Sequence, residues 1–459
     1  MSSTATEAPG AGDILRFTVP LMMGLFTYGL HAVVDAMFVG RLGTPQLAGL
    51  GFAGSFYVTI MVLFFGIMRN SVAFASRAFG AGKHSELGVV VANYQWLALA
   101  ATPVIYAMSL AFPWFVAWGE LNPEVARHAS VYVAIRVWEA PFILLIFLYA
   151  AYHQSKVNAR LPMLVHWGVL LVNIVLDYGL IYGRLGLPAL GVAGSALATV
   201  LAHVAGAVFI IAYSHRAASG RADRLHFLGW PRWRLQWEII RVSVPLGVGD
   251  FIEAGGFMVF FLVVGRLGET ALAANNIGVQ IIHLLALPGF AAGIAASTYM
   301  GRYLGAQAPD LARTAVLRTL ALGAAYMGGS GLLLVLFGRQ IASLFSTDPV
   351  VIGLAMQVFI VMAAFEALDA VGIILRSALA GAGDTRLPTA MLCGSIVLVL
   401  LPSAWWFSTL LRPPLIGVWL GAFCHITLIA AMMTWRFRVG AWRRITLGGI
   451  DGPRQPLAT

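Results

Sequence analysis

The chain has 459 residues, of which 60% are hydrophobic and only 10% are charged, and its mean hydropathy is +0.85. Soluble domains carry roughly 25% charged residues, so this chain has too little polar surface to cover itself in water. The net charge of +10 does not indicate a nucleic-acid partner, because the basic residues lie at the ends of apolar runs and not on a separate polar domain. We therefore expect an integral membrane protein whose surroundings are the lipid bilayer.

Apolar runs long enough to cross a bilayer, about 20 residues each, recur along the whole chain. They predict an all-α integral membrane protein with twelve transmembrane helices in two six-helix bundles. The predicted spans cover residues 14–38, 51–74, 90–116, 129–152, 162–183, 190–213, 239–263, 273–298, 314–337, 352–375, 387–410 and 414–436.

The connections between the spans are short, with one exception. Residues 215–237 form a longer linker that is rich in Arg and Trp. We expect a tail over residues 1–13, an amino-terminal lobe over 14–214, this linker, a carboxy-terminal lobe over 238–437 and a second tail over 438–459.

The distribution of basic residues predicts the orientation of the chain. Those at the chain ends and in the even-numbered connections, among them Arg77, Lys156, Arg302 and Arg376, outnumber those in odd-numbered connections such as the one that holds Arg41. Because cytoplasmic connections carry an excess of Lys and Arg, both tails and the linker should be cytoplasmic.

The stretch from residue 19 to 80 recurs without a gap 225 residues further on, from 244 to 305. One clear match is the sequence Val-Gly-Arg-Leu-Gly that begins at Val39. Six spans per half bring the second half into the membrane from the same side, so the halves should be related by a pseudo-two-fold axis along the membrane normal. Pro20 and Pro245 occupy matching positions and should kink the first and seventh helices, as hinges. Such a repeat is typical of a transporter built from two halves.

Seven acidic residues fall inside the predicted spans, where an ionised carboxylate at mid-membrane costs roughly 2.5–3.5 kcal/mol on insertion scales. Neighbouring acids in a low dielectric repel each other, so at least one of a pair should hold a proton near neutral pH. Such a group can exchange a proton for a cation, and carboxylate and amide oxygens also suit a hard cation such as Na⁺. Apart from Glu139, the candidates lie in pairs on one helix face, i,i+4 or i,i+3: His31 with Asp35, Asn173 with Asp177, Asp250 with Glu253, and Glu366 with Asp369.

Sequence motifs of enzymes are missing from the chain. The two cysteines, Cys393 and Cys424, lie inside apolar runs and form neither a disulfide framework nor a metal-ligand spacing. No phosphate-binding loop, nucleophile elbow or metalloprotease helix occurs. A membrane-embedded acyl- or prenyltransferase would need converging His and Asp residues or metal-binding acids at the membrane surface, whereas the acids here lie within spans. We therefore expect a transporter that is not an enzyme and that needs no cofactor.

The chain resembles the multidrug and toxic compound extrusion (MATE) family over essentially its whole length. The resemblance rests on four motifs that are specific in combination, although none is specific alone. The motifs are Asp35 followed by Phe38-Val39-Gly40, the first loop Val39-Gly40-Arg41-Leu42-Gly43 with Leu47-Ala48, the helix exit Arg77-Ala78-Phe79-Gly80-Ala81-Gly82, and Gly381-Ala382-Gly383-Asp384-Thr385 with Pro388.

This resemblance implies a secondary antiporter of the cell inner membrane that exports organic cations or other drugs in exchange for H⁺ or Na⁺. Asp35, Asn173 and Asp177 match the cation site of the family's amino-terminal lobe, a candidate Na⁺ site, with Thr199 as a further ligand. Pro20 matches a helix 1 proline proposed to bend on protonation.

The resemblance also implies a second site. Glu253 and Asp369 match acids of the carboxy-terminal lobe in the norfloxacin-efflux branch, and His31, Asp250 and Glu366 are accessory candidates. Because the chain carries both sets, the lobe that binds the coupling ion, and whether that ion is H⁺ or Na⁺, stay open.

We expect a monomer that takes a small organic cation as its substrate. The alternative is a lipid-linked saccharide flippase of the same wider superfamily. Such flippases often carry extra helices and a cationic groove, whereas here acids outnumber bases near the middle of the predicted spans, which favours a cationic substrate.

Overall fold

The structure is a computed structural model that describes residues 7–447 and Ile450. Twelve helices in this part of the chain are long and apolar enough to cross a membrane, so the prediction of an all-α, multi-pass membrane protein is confirmed. Their bounds are Ala11–Gly40 (α1), Thr44–Gly80 (α2), His84–Trp118 (α3), Pro123–Ser155 (α4), Arg160–Tyr182 (α5), Val192–Arg216 (α6), Trp233–Gly265 (α7), Glu269–Gly305 (α8), Pro309–Ser343 (α9), Pro349–Gly381 (α10), Arg386–Leu410 (α11) and Pro414–Val439 (α12).

The helices are longer than the apolar runs that predict them. The second span is predicted over 51–74, whereas α2 covers Thr44–Gly80, because hydropathy detects only the apolar part of a helix whose polar end turns continue beyond it. For the same reason α1 begins at Ala11 and α7 at Trp233, which shortens the predicted amino-terminal tail and linker. Residues 1–6 of the first tail and residues 448, 449 and 451–459 of the second lie outside the described residues.

Four of the helices change their geometry along their length. Asn70 interrupts α2 and Leu110-Ala111 interrupts α3. A 3₁₀ turn at Val137–Glu139 lies inside α4, and a π-helical turn at Ile396–Leu400 lies inside α11. Such irregular turns often mark functional positions within a helix, and the turn in α4 carries Glu139.

The chain forms two compact units whose boundaries lie inside α1 and α7. The amino-terminal unit comprises residues 23–247, and the carboxy-terminal unit comprises residues up to 22 together with 248–447. Each boundary lies two residues after a proline, Pro20 or Pro245, and both helices continue through that proline.

Side-chain contacts fix these two half-helices inside their units. In the carboxy-terminal unit, the rings of Phe17 on α1 and Tyr299 on α8 lie 5.9 Å apart, edge to face. In the amino-terminal unit, Ser243 on α7 accepts a hydrogen bond of 3.0 Å from the amide of Asn70 and is hydrogen-bonded at 3.0 Å to the hydroxyl of Tyr94. The first part of α1 therefore packs with the later helices of the chain, and the first part of α7 packs with the earlier ones.

The linker between α6 and α7 is docked on the amino-terminal unit. Asp223 is buried and accepts hydrogen bonds from the hydroxyl of Tyr152 at 2.6 Å and from Lys156, and it lies 2.7 Å from Nδ1 of His84. Burial lowers the pKa of Lys156, and the carboxylate of Asp223 only partly offsets this effect. The backbone N–H of Leu228 also donates to the side chain of Gln95 at 2.6 Å.

Helices α5 and α6 approach so closely that one crossing point excludes any side chain. A Cβ added at Gly194 would lie 2.4 Å from the carbonyl oxygen of Leu180. We expect Gly194→Ala to lower the midpoint of thermal unfolding in detergent, because relieving this overlap must move two backbones, and overpacking costs about 1–3 kcal/mol. Gly168→Ala on α5 is the control, since a Cβ there meets nothing within 4 Å and alanine favours a helix over glycine by about 1 kcal/mol. Equal midpoints for the two variants would contradict this account.

In the carboxy-terminal unit, α10 packs against α8, α9 and α12. Its central position explains why Glu366 and the neighbouring Phe365 are fully buried. Polar side chains on this helix therefore face the interior of the unit.

Candidate functional site

Four predicted residues meet in the interior of the amino-terminal unit, and we call them the amino-terminal cluster: Asp35 on α1, Asn173 and Asp177 on α5, and Thr199 on α6. All four are buried, with Asp35 4% exposed and the others 0%. The Asn173 amide donates a hydrogen bond of 3.2 Å to the Thr199 hydroxyl, which in turn donates to the carbonyl of Ser195 at 3.0 Å. The i,i+4 spacing places Asn173 and Asp177 on the face of α5 that packs against α6.

The amino-terminal cluster is rich in oxygen atoms that lack a donor. Within the described part of the chain, no amide, hydroxyl or ring N–H donates to Asp35 Oδ1, Asn173 Oδ1 or either carboxyl oxygen of Asp177. The carboxyl groups of Asp35 and Asp177 lie close enough to interact electrostatically, and two neighbouring buried carboxyls repel each other unless one of them carries a proton. Buried polar atoms normally have a partner, so this arrangement is suited to hold a proton or a small cation.

A charged group lies beside the amino-terminal cluster. On α4, Nε of Arg136 lies 2.6 Å from a carboxyl oxygen of Glu139, which is fully buried. The other carboxyl oxygen of Glu139 lies 3.5 Å from Nδ1 of His203 on α6. The Arg136 guanidinium also lies 5.5 Å from the ring centroid of Tyr57, and its charge acts on both Asp35 and Asp177.

His31, predicted as an accessory to Asp35, contacts a different partner. Its ring stacks on His203 with centroids 5.6 Å apart. This contact places His31 next to the Arg136–Glu139 pair. The ring partner of His31 is therefore a residue of α6 and not Asp35 on its own helix.

A buried apolar layer closes the amino-terminal cluster toward the connection between α1 and α2. Val39 lies four residues after Asp35 on α1, and Ile181 lies four residues after Asp177 on α5, one helical turn further along each helix. Both belong to one contiguous group of buried side chains: Val39, Leu50, Ala53, Phe112, Ala129, Tyr132, Val133, Ile181, Val192 and Ala196. Within this unit, an ion at the cluster is therefore shielded on that side.

A second set of predicted residues meets in the carboxy-terminal unit, and we call it the carboxy-terminal cluster: Asp250 and Glu253 on α7, with Asp369 and Arg376 on α10. One guanidinium nitrogen of Arg376 donates a hydrogen bond of 2.9 Å to Glu253, and another lies 3.5 Å from Asp250. The charges of Glu253 and Arg376 both act on Asp369. The two predicted acid pairs therefore come together around a basic side chain.

Glu366 lies apart from the ion pairs of the carboxy-terminal cluster. It is fully buried and packs against Gly331 on α9. Among the described residues, no donor reaches either of its carboxyl oxygens, although it interacts electrostatically with Asp369.

The roles of two arginines, Arg136 and Arg376, are not predicted from the sequence. The distribution of basic residues predicts a cytoplasmic connection for Arg376, whereas the structure places it inside α10 in ion pairs with Glu253 and Asp250. The spacing offered signals for both, because Arg136 lies at i,i+3 to Glu139 and Arg376 lies at i,i+7 to Asp369, each on one helix face.

No transition-metal site is indicated by the described residues, since no group of three or more His, Cys, Asp or Glu side chains is arranged to hold a metal ion. The predicted Na⁺ site at Asp35, Asn173 and Asp177 includes an amide ligand and stays a prediction.

The sequence matches the MatE family model in both halves, over residues 20–179 and 245–406. A relative named multidrug resistance protein NorM, from Burkholderia vietnamiensis, is 30% identical over 452 residues, which cover 96% of this chain and 97% of the relative. Multidrug resistance protein PmpM from Pseudomonas aeruginosa is 27% identical over 445 residues, which cover 94% and 92% of the two chains.

Solved structures share the fold. A multidrug resistance MATE family transporter of the MOP superfamily, in an outward-facing conformation, superimposes with a TM-score of 0.85 at 22% identity, over 95% of this chain and 97% of that chain. The eukaryotic MATE transporter AtDTX14 superimposes with a TM-score of 0.84 at 18% identity, over 95% and 96% of the two chains.

Proposed function

We propose a mechanism for this chain from the premise that it belongs to the MATE family, as the family match in both halves and the 30% identity across nearly all of a NorM relative establish. Its relatives are named multidrug resistance proteins, and the chain is a multidrug efflux antiporter that exports small organic compounds against an inward flow of cations. The relatives give no support to the flippase alternative.

The coupling ion is assigned to the amino-terminal cluster. The observation that carries this assignment is the group of buried oxygens on Asp35, Asn173 and Asp177 that no donor within the described residues satisfies. In the carboxy-terminal cluster, by contrast, Glu253 and Asp250 already have a cation, the guanidinium of Arg376. A buried carboxyl that makes no ion pair is the stronger site for a transported positive charge.

We assign H⁺ as the coupling ion. One proton on the Asp35 and Asp177 pair would relieve the repulsion between two buried carboxyls that interact with each other. The nearby Arg136 guanidinium opposes the binding of any cation at these carboxyls, H⁺ and Na⁺ alike. A proton needs only one carboxyl oxygen, whereas a hard cation such as Na⁺ needs several oxygen ligands. The hydroxyl of Thr199 also accepts from Asn173 and donates to Ser195, which leaves it a single lone pair to offer Na⁺.

We place the protein in the bacterial inner membrane as a monomer with both termini in the cytoplasm. The bacterial relatives support this location. The excess of basic residues in the even-numbered connections supports this orientation. The partners are then the bilayer and a small organic cation, with no nucleic acid.

Proteoliposomes that contain the purified protein test the assignment of the ion. We expect an imposed pH gradient to drive transport of ethidium, a fluorescent organic cation, and a Na⁺ gradient at constant pH to leave the rate at that of protein-free liposomes. A proton ionophore should abolish the pH-driven signal. Transport driven by the Na⁺ gradient alone would overturn the assignment of H⁺ and support the predicted Na⁺ site.

A further inference from the structure

Arg376 holds two of the three acids in the carboxy-terminal cluster. Its guanidinium lies 2.9 Å from Glu253 and 3.5 Å from Asp250, and its side chain is only 13% exposed. Among the described residues no ion pair joins Arg376 to Asp369, although Asp369 lies close enough to feel its charge. One fixed positive charge is therefore shared unequally among three carboxyls.

This geometry leaves Asp369 as the carboxyl that can accept a positive charge from outside the protein. Glu253 and Asp250 would first have to release a guanidinium that is both hydrogen-bonded and mostly buried, and such charge-assisted bonds are the strong ones. Asp369 is partly buried, so an arriving cation gains an electrostatic partner there without breaking an ion pair.

An exposed aromatic side chain, Phe257, lies one helical turn from Glu253 and packs near buried aromatic residues of the same unit. On α7, Phe257 is four residues after Glu253, on the same helix face, and its ring lies 6.1 Å from that of Phe260. Phe260 packs edge to face on Trp419 at 5.7 Å. Aromatic faces attract organic cations and accept flat ring systems.

We propose that Arg376 is a built-in counter-ion that makes this transporter selective for singly charged organic cations. It occupies Glu253 and Asp250 and leaves Asp369 to bind one positive charge. Compounds with a second charged centre find Glu253 and Asp250 already paired with Arg376 and are repelled by the guanidinium. This inference rests on the proposed export of organic cations and adds the charge class of the substrate.

Equilibrium binding of two related dyes to the purified protein tests the inference. Ethidium carries one positive charge, and propidium carries the same ring system with a second, quaternary ammonium centre. We expect the wild type to bind ethidium more tightly than propidium. Arg376→Gln should raise the affinity for propidium about tenfold relative to ethidium, a change of about 1.4 kcal/mol, because Glu253 then becomes a second cation partner.

Three further variants separate specificity from structure. Arg376→Lys keeps the charge and should keep the wild-type preference. The double variant Glu253→Gln/Arg376→Gln removes one charge of each sign and should return toward that preference. Arg339→Gln removes a positive charge from an exposed position of the same unit and should change neither affinity.

Two results would overturn the inference. One is an unchanged ratio of the two affinities in Arg376→Gln. The other is an equal loss of both dyes together with a lower unfolding temperature, which would make Arg376 a purely structural ion-pair partner. Dye binding is measured without a gradient. Failure of proton-driven transport in the wild type would therefore refute the proposed coupling ion without changing the outcome of the binding test.

Discussion

Asp177→Asn is expected to reduce ethidium transport driven by a pH gradient to the level of protein-free liposomes, while the purified variant still folds and still binds ethidium. The amide keeps the size of the side chain but cannot bind or release a proton, so Asp35 no longer has a second carboxyl with which to share one. Dye binding should persist, because the proposed substrate carboxyl, Asp369, belongs to the other unit. The measurement is the initial rate of dye transport in proteoliposomes, paired with equilibrium dye binding.

Two controls make this result specific. Asp177→Glu keeps a carboxyl and should retain part of the transport rate. Glu124→Gln removes an exposed acid of the same unit, whose side chain is 52% exposed, and should transport like the wild type. A wild-type rate for Asp177→Asn would refute the amino-terminal cluster as the coupling site, and loss of dye binding in the same variant would place the substrate there instead.

The twelve helices and the amino-terminal cluster could be predicted because their signals are local or repeated. Each span is a continuous apolar run that only a helix can carry through a bilayer. Asn173 and Asp177 share a helix face by spacing alone. That Asp35 and Thr199 join them depends on how the helices pack, which the resemblance to a known family implied and the structure shows.

The partners of the charged side chains could not be predicted in the same way. In the sequence, Arg376 lies near the end of a predicted span and indicates only the orientation of the chain. Its partners Glu253 and Asp250 lie more than 120 residues earlier in the chain. Helical spacing predicts a pair of His31 with Asp35, but the His31 ring stacks on His203 from another helix. Contacts between distant helices depend on their packing, and a single sequence contains no periodic pattern that reports it.

The two clusters use an internal guanidinium in different ways. Arg376 pairs directly with acids of its own cluster, so it competes with an arriving cation. Arg136 pairs with Glu139, outside the amino-terminal cluster, and reaches Asp35 and Asp177 only through its field. This difference supports a division of labour in which one unit exchanges protons and the other selects the substrate by its charge.

Arg136→Gln should be the most destabilising single change in the amino-terminal unit. It leaves Glu139, which is fully buried, as a carboxylate without its guanidinium, and breaking a buried ion pair from one side costs about 3–5 kcal/mol. We expect a clear fall in the midpoint of thermal unfolding in detergent. Arg136→Gln/Glu139→Gln should recover most of that loss, because two neutral amides replace two opposite charges of similar size.

The double variant also tests the proposed preference for H⁺. Arg136 and Glu139 carry opposite charges, so removing both changes the net field at Asp35 and Asp177 little. Ethidium transport in the folded double variant should therefore still follow a pH gradient and ignore a Na⁺ gradient, and Glu139→Gln alone, which keeps Arg136, should also remain insensitive to Na⁺. If the single and double variants unfold at the same temperature, the pair is not an energetic unit. If a Na⁺ gradient drives ethidium transport in the folded double variant, the Arg136–Glu139 pair sets the ion preference, and the ligands of the cluster itself, including the Thr199 hydroxyl bonded to Asn173, do not.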